Sequence, residues 1–116
     1  SYDLAMAMGI LLATNKIPYI DYNELRKTIF IGELSLDGKI NKVNGILSMC
    51  MEAKELGIKR IILSKENANE AAIVKELEVI PVTHLNELVR YLNKEINIQR
   101  TESLTKVYTE IFNRLS

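Results

Sequence analysis

An α/β fold, with a mixed sheet, a β-hairpin and flanking helices, is predicted by three features of the sequence. From Gly45 onward, helix-periodic segments alternate with short apolar runs, the pattern of βαβ packing around a partly parallel sheet. Asp37-Gly38 separates two β-prone runs, "TIFIGELSL" and "KINKV", a strong short-range hairpin signal. The length of 116 residues suffices for one domain with a real core but not for two.

The opening run, from Leu4 to Ala13, places apolar side chains on every face of a helix. Such a helix is expected inside the protein, covered on most sides. Asp3 lies in its first turn, where the helix dipole favours a carboxylate, and Asn15-Lys16 with Pro18 ends it. "IDYNELRKT" adds a helical turn before the strand "IFIGEL". A type I′ turn, with positive φ at both Asp37 and Gly38, is expected to close the hairpin. Asn44-Gly45 then opens a helix through about Leu56, with Ile46, Met49, Cys50 and Ala53 at helical spacing and Gly57 as its stop.

"KRIILS" reads as a short buried strand. Asn67 and Glu70 have the spacing of a capping box and predict a helix through about Leu77. "EVIPV" is the next strand, its Pro81 pointing to the strand's end or a sheet edge. Thr83 is expected to cap "HLNELVRYLNKE", with Leu85, Leu88, Val89 and Leu92 on one face. A polar link from Asn97 to Thr101 precedes "TESLTKVYTEIFNRLS". There Leu104, Val107, Tyr108, Ile111, Phe112 and Leu115 form an apolar stripe that either folds back on the domain or docks on another chain. Residues 1–96 are therefore assigned to the domain, and residues 97–116 to a linker and terminal amphipathic helix.

Charge narrows the function classes. With 15 basic against 15 acidic residues, the total gives no reason to expect a nucleic-acid or anionic-membrane surface. A local patch of Lys39, Lys42, Lys59, Arg60 and Lys65 is the one basic grouping to test. The single Cys50 excludes an intrachain disulfide and a cysteine metal cage, and fits a reducing, cytoplasmic setting. The opening apolar run lacks a basic leader and is too short to span a bilayer, so no membrane partner is expected. The chain begins with Ser1 rather than Met, as a fragment cut from something longer does.

"GELSLDGKI" comes close to a phosphate-binding loop but fails its requirements. Five residues separate Gly32 from Gly38 where the pattern needs four, and Ile40 follows Lys39 where a metal-binding hydroxyl belongs. No nucleotide or metal site is expected here. His84 is the only histidine and lacks a ligating partner nearby in sequence. Cys50 reads as a small core residue, Met6, Met8, Met49 and Met51 as core filler, and Glu33 as an exposed strand position. No pair of carboxylates is spaced for acid–base work. Ser1 stands apart, because a free N-terminal serine can use its own amine as base; the plainer reading is a cut end.

Three stretches together carry a family resemblance: "SYDLAMAMGILLAT", "FIGELSLDGKINKVNGILSMCMEAKELGIKRIILSKENANEA" and "VTHLNELVRYL". Over residues 1 to about 94 the chain resembles the N-terminal domain of the YifB/ComM proteins, bacterial AAA+ ATPases often called magnesium chelatase-like. The specific part is Gly32 to Gly38, followed by Gly57-Ile58-Lys59 and Glu66-Asn67. That domain is similar to the proteolytic domain of Lon, so the resemblance implies a Lon-like fold, here partial, because the family's earlier strands do not appear. Ala5 stands where the family usually has Pro, and residues 101–116 do not look like the family's run into its ATPase.

The resemblance also implies a position for chemistry. Lon-type peptidases use a Ser–Lys dyad; Ser1 falls where the nucleophile would be, and Leu47 where the lysine would be. Leucine cannot take a proton, and loss of a dyad base removes most of the nucleophile's activation. A non-catalytic accessory and assembly domain of an AAA+ ATPase is therefore expected, with no catalytic, metal or cofactor residues in this chain. ATP and Mg²⁺ would belong to the parent's separate ATPase module. The implied partners are that module and neighbouring subunits in a homo-oligomer, with DNA reached through the parent. The alternative is a Lon-type serine peptidase using Ser1 with Lys39 or Lys42.

Overall fold

The computed structural model describes residues 2–115. The chain runs β1 (Tyr2–Asp3), α1 (Leu4–Ala13), α2 (Tyr22–Leu25), β2 (Thr28–Ile31), β3 (Glu33–Leu34) and β4 (Ile40–Asn41). It continues through α3 (Ile46–Glu55), β5 (Arg60–Ser64), α4 (Lys65–Ala71), β6 (Glu78–Val82), α5 (Leu85–Leu92) and α6 (Leu104–Leu115). The α/β class is as expected, and parallel and antiparallel pairing are divided between two sheets. β2-β5-β6 is parallel, with Ile29 opposite Ile61 and Ile61 opposite Val79; β1-β3-β4 is antiparallel.

The central strand β5 explains the layering. Ile61, Ile62 and Leu63 are all fully buried, as a strand covered on both faces must be. Alternation sends Ile62 to a core shared with Leu4, Met8, Phe30, Ile40, Ile80 and Leu88. Ile61 and Leu63 go to a second core with Ile46, Cys50, Ala68, Ala71 and Val79. Each such side chain contributes about 1.5–3 kcal/mol by leaving water. β6 is an edge strand, which is where Pro81 is tolerated.

Gly32 marks the crossing between the sheets. Leu4 N–H donates to its carbonyl at 3.0 Å, and a Cβ there would lie 2.9 Å from Ile40 Cγ2, so glycine lets the start of α1 and Ile40 of β4 pack closely on the backbone here. The hairpin forms where expected, but its turn differs. Gly38 N–H donates to Ser35 O and Ser35 N–H to Lys39 O, both at 2.9 Å. Within this loop only Gly38 takes a positive φ, of 92°. The geometry is a three-residue loop with a glycine bulge rather than a type I′ turn.

Four further expectations change. Ser64 caps α4, its hydroxyl accepting from Glu66 N–H at 3.2 Å, so Asn67 lies inside the helix and makes no cap. That helix ends at Ala71; Ile73 N–H then bonds Glu70 O and Val74 N–H bonds Ala71 O, a tighter turn that tucks Val74 and Leu77 into the core. His84, not Thr83, caps α5, while Glu87 reaches back to the Thr83 N–H at 2.8 Å. α1 is the largest departure in burial. Only Leu4 and Met8 are buried, while Met6 and Ile10 are 64% and 59% exposed.

Candidate functional site

Ser1, the expected nucleophile position, lies outside the described residues. Asp3, two residues on in the sequence, caps α1, its Oδ1 accepting from Met6 N–H at 3.2 Å. Asp3, Phe30, Gly32, Glu33, Lys42 and Met49 line an open groove of about 660 Å³ where β1, the β2–β3 crossing and the start of α3 converge. Glu33 is exposed, as expected of its strand position. Lys42 is exposed on the same groove, whereas Lys39 lines a different depression with Ser64, Lys65 and Thr83.

Leu47 sits in the first turn of α3, partly buried against the core of Ile46, Cys50, Ile61 and Leu63. Its side chain is held by apolar neighbours and offers no acceptor to the groove. Around it, Ile29, Ile31, Val43 and Ile58 pack against the same cluster.

The proposed basic patch does not gather. Lys59 and Arg60 stand at the start of β5 and Lys65 follows its end, roughly 16 Å away at about 3.3 Å per residue. Arg60 is also engaged. Its Nε donates to Thr28 Oγ1 at 3.1 Å and its Nη1 to Tyr91 Oη at 3.2 Å and Glu24 Oε2 at 3.4 Å. Burial pushes the Tyr91 phenol above its ordinary value, against the lowering influence of Arg60. Nothing in the local sequence signals this cluster, because its members come from positions 24 to 91.

Two polar side chains emerge as structural pins. Asn67 is buried and clasps the backbone of Val43, accepting from its N–H at 2.9 Å and donating to its carbonyl at 3.0 Å. His84 Nδ1 accepts from Asn86 N–H at 3.0 Å, which puts the ring proton on Nε2, where it is donated to Asp37 O at 2.8 Å. The sole histidine thus ties the start of α5 to the hairpin tip.

Cys50 is fully buried, and burial pushes its thiol from 9.0 to about 11, with Glu70 adding to the shift. The folded chain keeps this proton where the unfolded chain releases it. Stability should therefore be full below the ordinary thiol value and fall as pH rises from there toward the folded one. Chemical denaturation at about pH 8 and about pH 10, compared with Cys50→Ala, measures this; the wild-type chain should lose more stability than the variant.

Among the described residues, no helix is long and apolar enough to cross a membrane. Comparison with known proteins decides the kinship. Residues 1–67 match the family described as "Subunit ChlI of Mg-chelatase", more than half of the chain. The chain belongs to the ChlI family. This ChlI-type domain is 29% identical to the competence protein ComM of Haemophilus influenzae over 105 residues, 90% of the chain and 20% of ComM. It is 34% identical to the DNA repair protein RadA of Streptococcus pneumoniae over 88 residues, 76% of the chain and 20% of RadA. It is 38% identical to Lon protease 2 of Bacillus subtilis over 82 residues, 71% of the chain and 14% of that protease. The ChlI-type chain thus spans a fifth or less of the length of these relatives, and its α/β fold is the expected Lon-like domain in partial form.

Proposed function

We propose that this ChlI-type domain is a non-catalytic accessory and assembly module of a longer AAA+ ATPase that acts on DNA in the cytoplasm. In this reading it positions neighbouring subunits or engages substrate, and ATP hydrolysis takes place elsewhere in the parent. Leu47 carries the reading. The position where the Lon resemblance calls for a proton acceptor is an aliphatic side chain packed into a core. The similarity to ComM and RadA, a competence and a DNA repair protein by name, supports the DNA assignment.

Deleting residues 1–96 from the parent should reduce both its oligomer assembly and its DNA-stimulated ATPase activity. If both are unchanged, the accessory role is wrong. A second reading is favoured by one observation, that Lys42 lies on the same groove as Asp3, two residues from Ser1. It is a serine peptidase in which Lys42 replaces the missing base. A fluorophosphonate reagent separates the two: the accessory domain stays unlabelled, whereas labelling abolished by Ser1→Ala establishes the peptidase.

A further inference from the structure

Two places in this chain set a side-chain carbonyl next to a glycine nitrogen, Asp37-Gly38 and Asn44-Gly45, and the fold treats them oppositely. At the hairpin both groups are engaged. The Gly38 N–H donates to Ser35 O at 2.9 Å, and Asp37 Oδ1 accepts from the Lys39 N–H at 3.1 Å. At the start of α3 neither is engaged: among the described residues, nothing bonds the Asn44 amide or the Gly45 N–H. Both residues are exposed, and Gly45 takes a left-handed φ of 75°. Having no Cβ, Gly45 leaves its nitrogen unshielded toward the side chain before it. Of the chain's asparagines, Asn44 alone precedes a glycine.

The loop is short and held at both ends. Upstream, the buried Asn67 amide clasps the Val43 N–H and carbonyl at 2.9 and 3.0 Å. Downstream, Ile46 is buried in the second core, and Gly45 O accepts from the Met49 N–H at 3.2 Å to open the first turn of α3. Only Asn44 and Gly45 lie between these anchors, so the span has no slack. Asn44 also lines the groove that holds Asp3, Glu33 and Lys42.

We propose that Asn44-Gly45 is a site of spontaneous deamidation, and that its isoaspartyl product disconnects α3 from the Asn67 clasp. The Gly45 nitrogen loses its proton to solvent and attacks Asn44 Cγ. The new C–N bond closes a cyclic imide as the Cγ–Nδ2 bond breaks and ammonia leaves. Water then opens the imide at either carbonyl, so that overall an amide and a water become a carboxylic acid and ammonia. The reacting atoms belong to consecutive residues, and the reaction needs nothing from outside the loop except water. Opening at the side-chain carbonyl gives ordinary aspartate. Opening at the backbone carbonyl gives isoaspartate, whose backbone runs through Cβ and is one carbon longer. Either product puts a negative charge on the groove with Lys42, just ahead of α3, where the helix dipole favours it. Only isoaspartate lengthens the span, so one anchor must shift. The clasp gives first, because water can replace its bonds to Val43, whereas Ile46 has no other apolar site to fill.

Ageing the purified chain in warm, mildly alkaline buffer tests this. The tryptic peptide of residues 43–54 is expected to exchange its amide for an acid ahead of every other asparagine-containing peptide. The aged chain should also become a substrate for isoaspartyl methyltransferase. Conversion should proceed in the folded chain; conversion seen only in denaturant overturns the proposal. Asn44→Gln should abolish it, because the longer side chain closes a less favoured ring. Gly45→Ala should slow it severalfold by shielding the nitrogen, and if that variant does not fold, Asn44→Gln alone decides. The isoaspartyl fraction should unfold at a lower denaturant concentration than the fresh chain. Asn44→Asp, which has the charge without the longer backbone, should unfold with the fresh chain. Equal losses in the two would assign the effect to charge and overturn the disconnection. A peptide 43–54 that stays unchanged while another asparagine converts overturns the site itself. None of these outcomes bears on the accessory role or on ATPase activity in a parent.

Discussion

Replacing Asn67 by leucine is expected to cost about 3 kcal/mol of stability, although the two side chains have nearly the same shape. The loss comes from the other partner. Val43 has both its N–H and its carbonyl bonded to this one amide, at 2.9 and 3.0 Å, in a partly buried setting. Leucine leaves both backbone groups without a partner, at about 1–3 kcal/mol each, reduced where water reaches them. Chemical denaturation of the two chains measures the difference, and a loss under about 1 kcal/mol would mean that water replaces the clasp. Asn67→Asp sharpens the test. An ionised carboxylate still accepts from the Val43 N–H but repels its carbonyl, while the protonated acid can donate there as the amide does. The folded state of that variant thus favours the proton, so its deficit should be largest at neutral pH and shrink as pH falls toward the carboxylate range.

Gly38→Ala should cost about 2–3 kcal/mol, in two parts that can be separated. The φ of 92° lies where an L-residue is strained by about 1–2 kcal/mol. The added methyl would also stand 2.6 Å from His84 Cε1 and 2.7 Å from Nε2, so the ring must move. Moving it forfeits the bond to Asp37 and the cap on α5, the latter worth about 1 kcal/mol. In a His84→Ala background the collision disappears and only the backbone strain remains. The double variant should therefore be more stable than the sum of the single losses predicts. Strict additivity would show that the ring and the turn do not touch in solution.

These two sites show what the sequence could and could not convey. The hairpin was legible at Asp37-Gly38 because turn chemistry is local. The type of turn was not, because His84, 47 positions downstream, sets how the loop seats. Asn67 with Glu70 has the spacing of a cap, yet its amide is occupied by Val43, 24 residues upstream, and Ser64 takes the cap directly from the end of β5. β5 itself was legible, since an unbroken apolar run has no solvent face to declare. α1 is likewise unbroken in its apolar character, yet only Leu4 and Met8 of it are buried, because only that face packs on β2. Leu47, packed on the second core, is recognisable by its position in the sequence alone. That Lys42 rather than Lys39 shares the groove with Asp3 depends on how β4 runs into α3, which no local pattern specifies.

The His84 contact has a practical consequence. The chain contains one imidazole, and its two nitrogens are engaged by different parts of the fold, one at the start of α5 and one at the hairpin tip. A single nitrogen pair in a magnetic-resonance spectrum therefore reports whether those two regions are joined. With selective histidine labelling, the seating of the loop becomes visible without assigning anything else in the molecule.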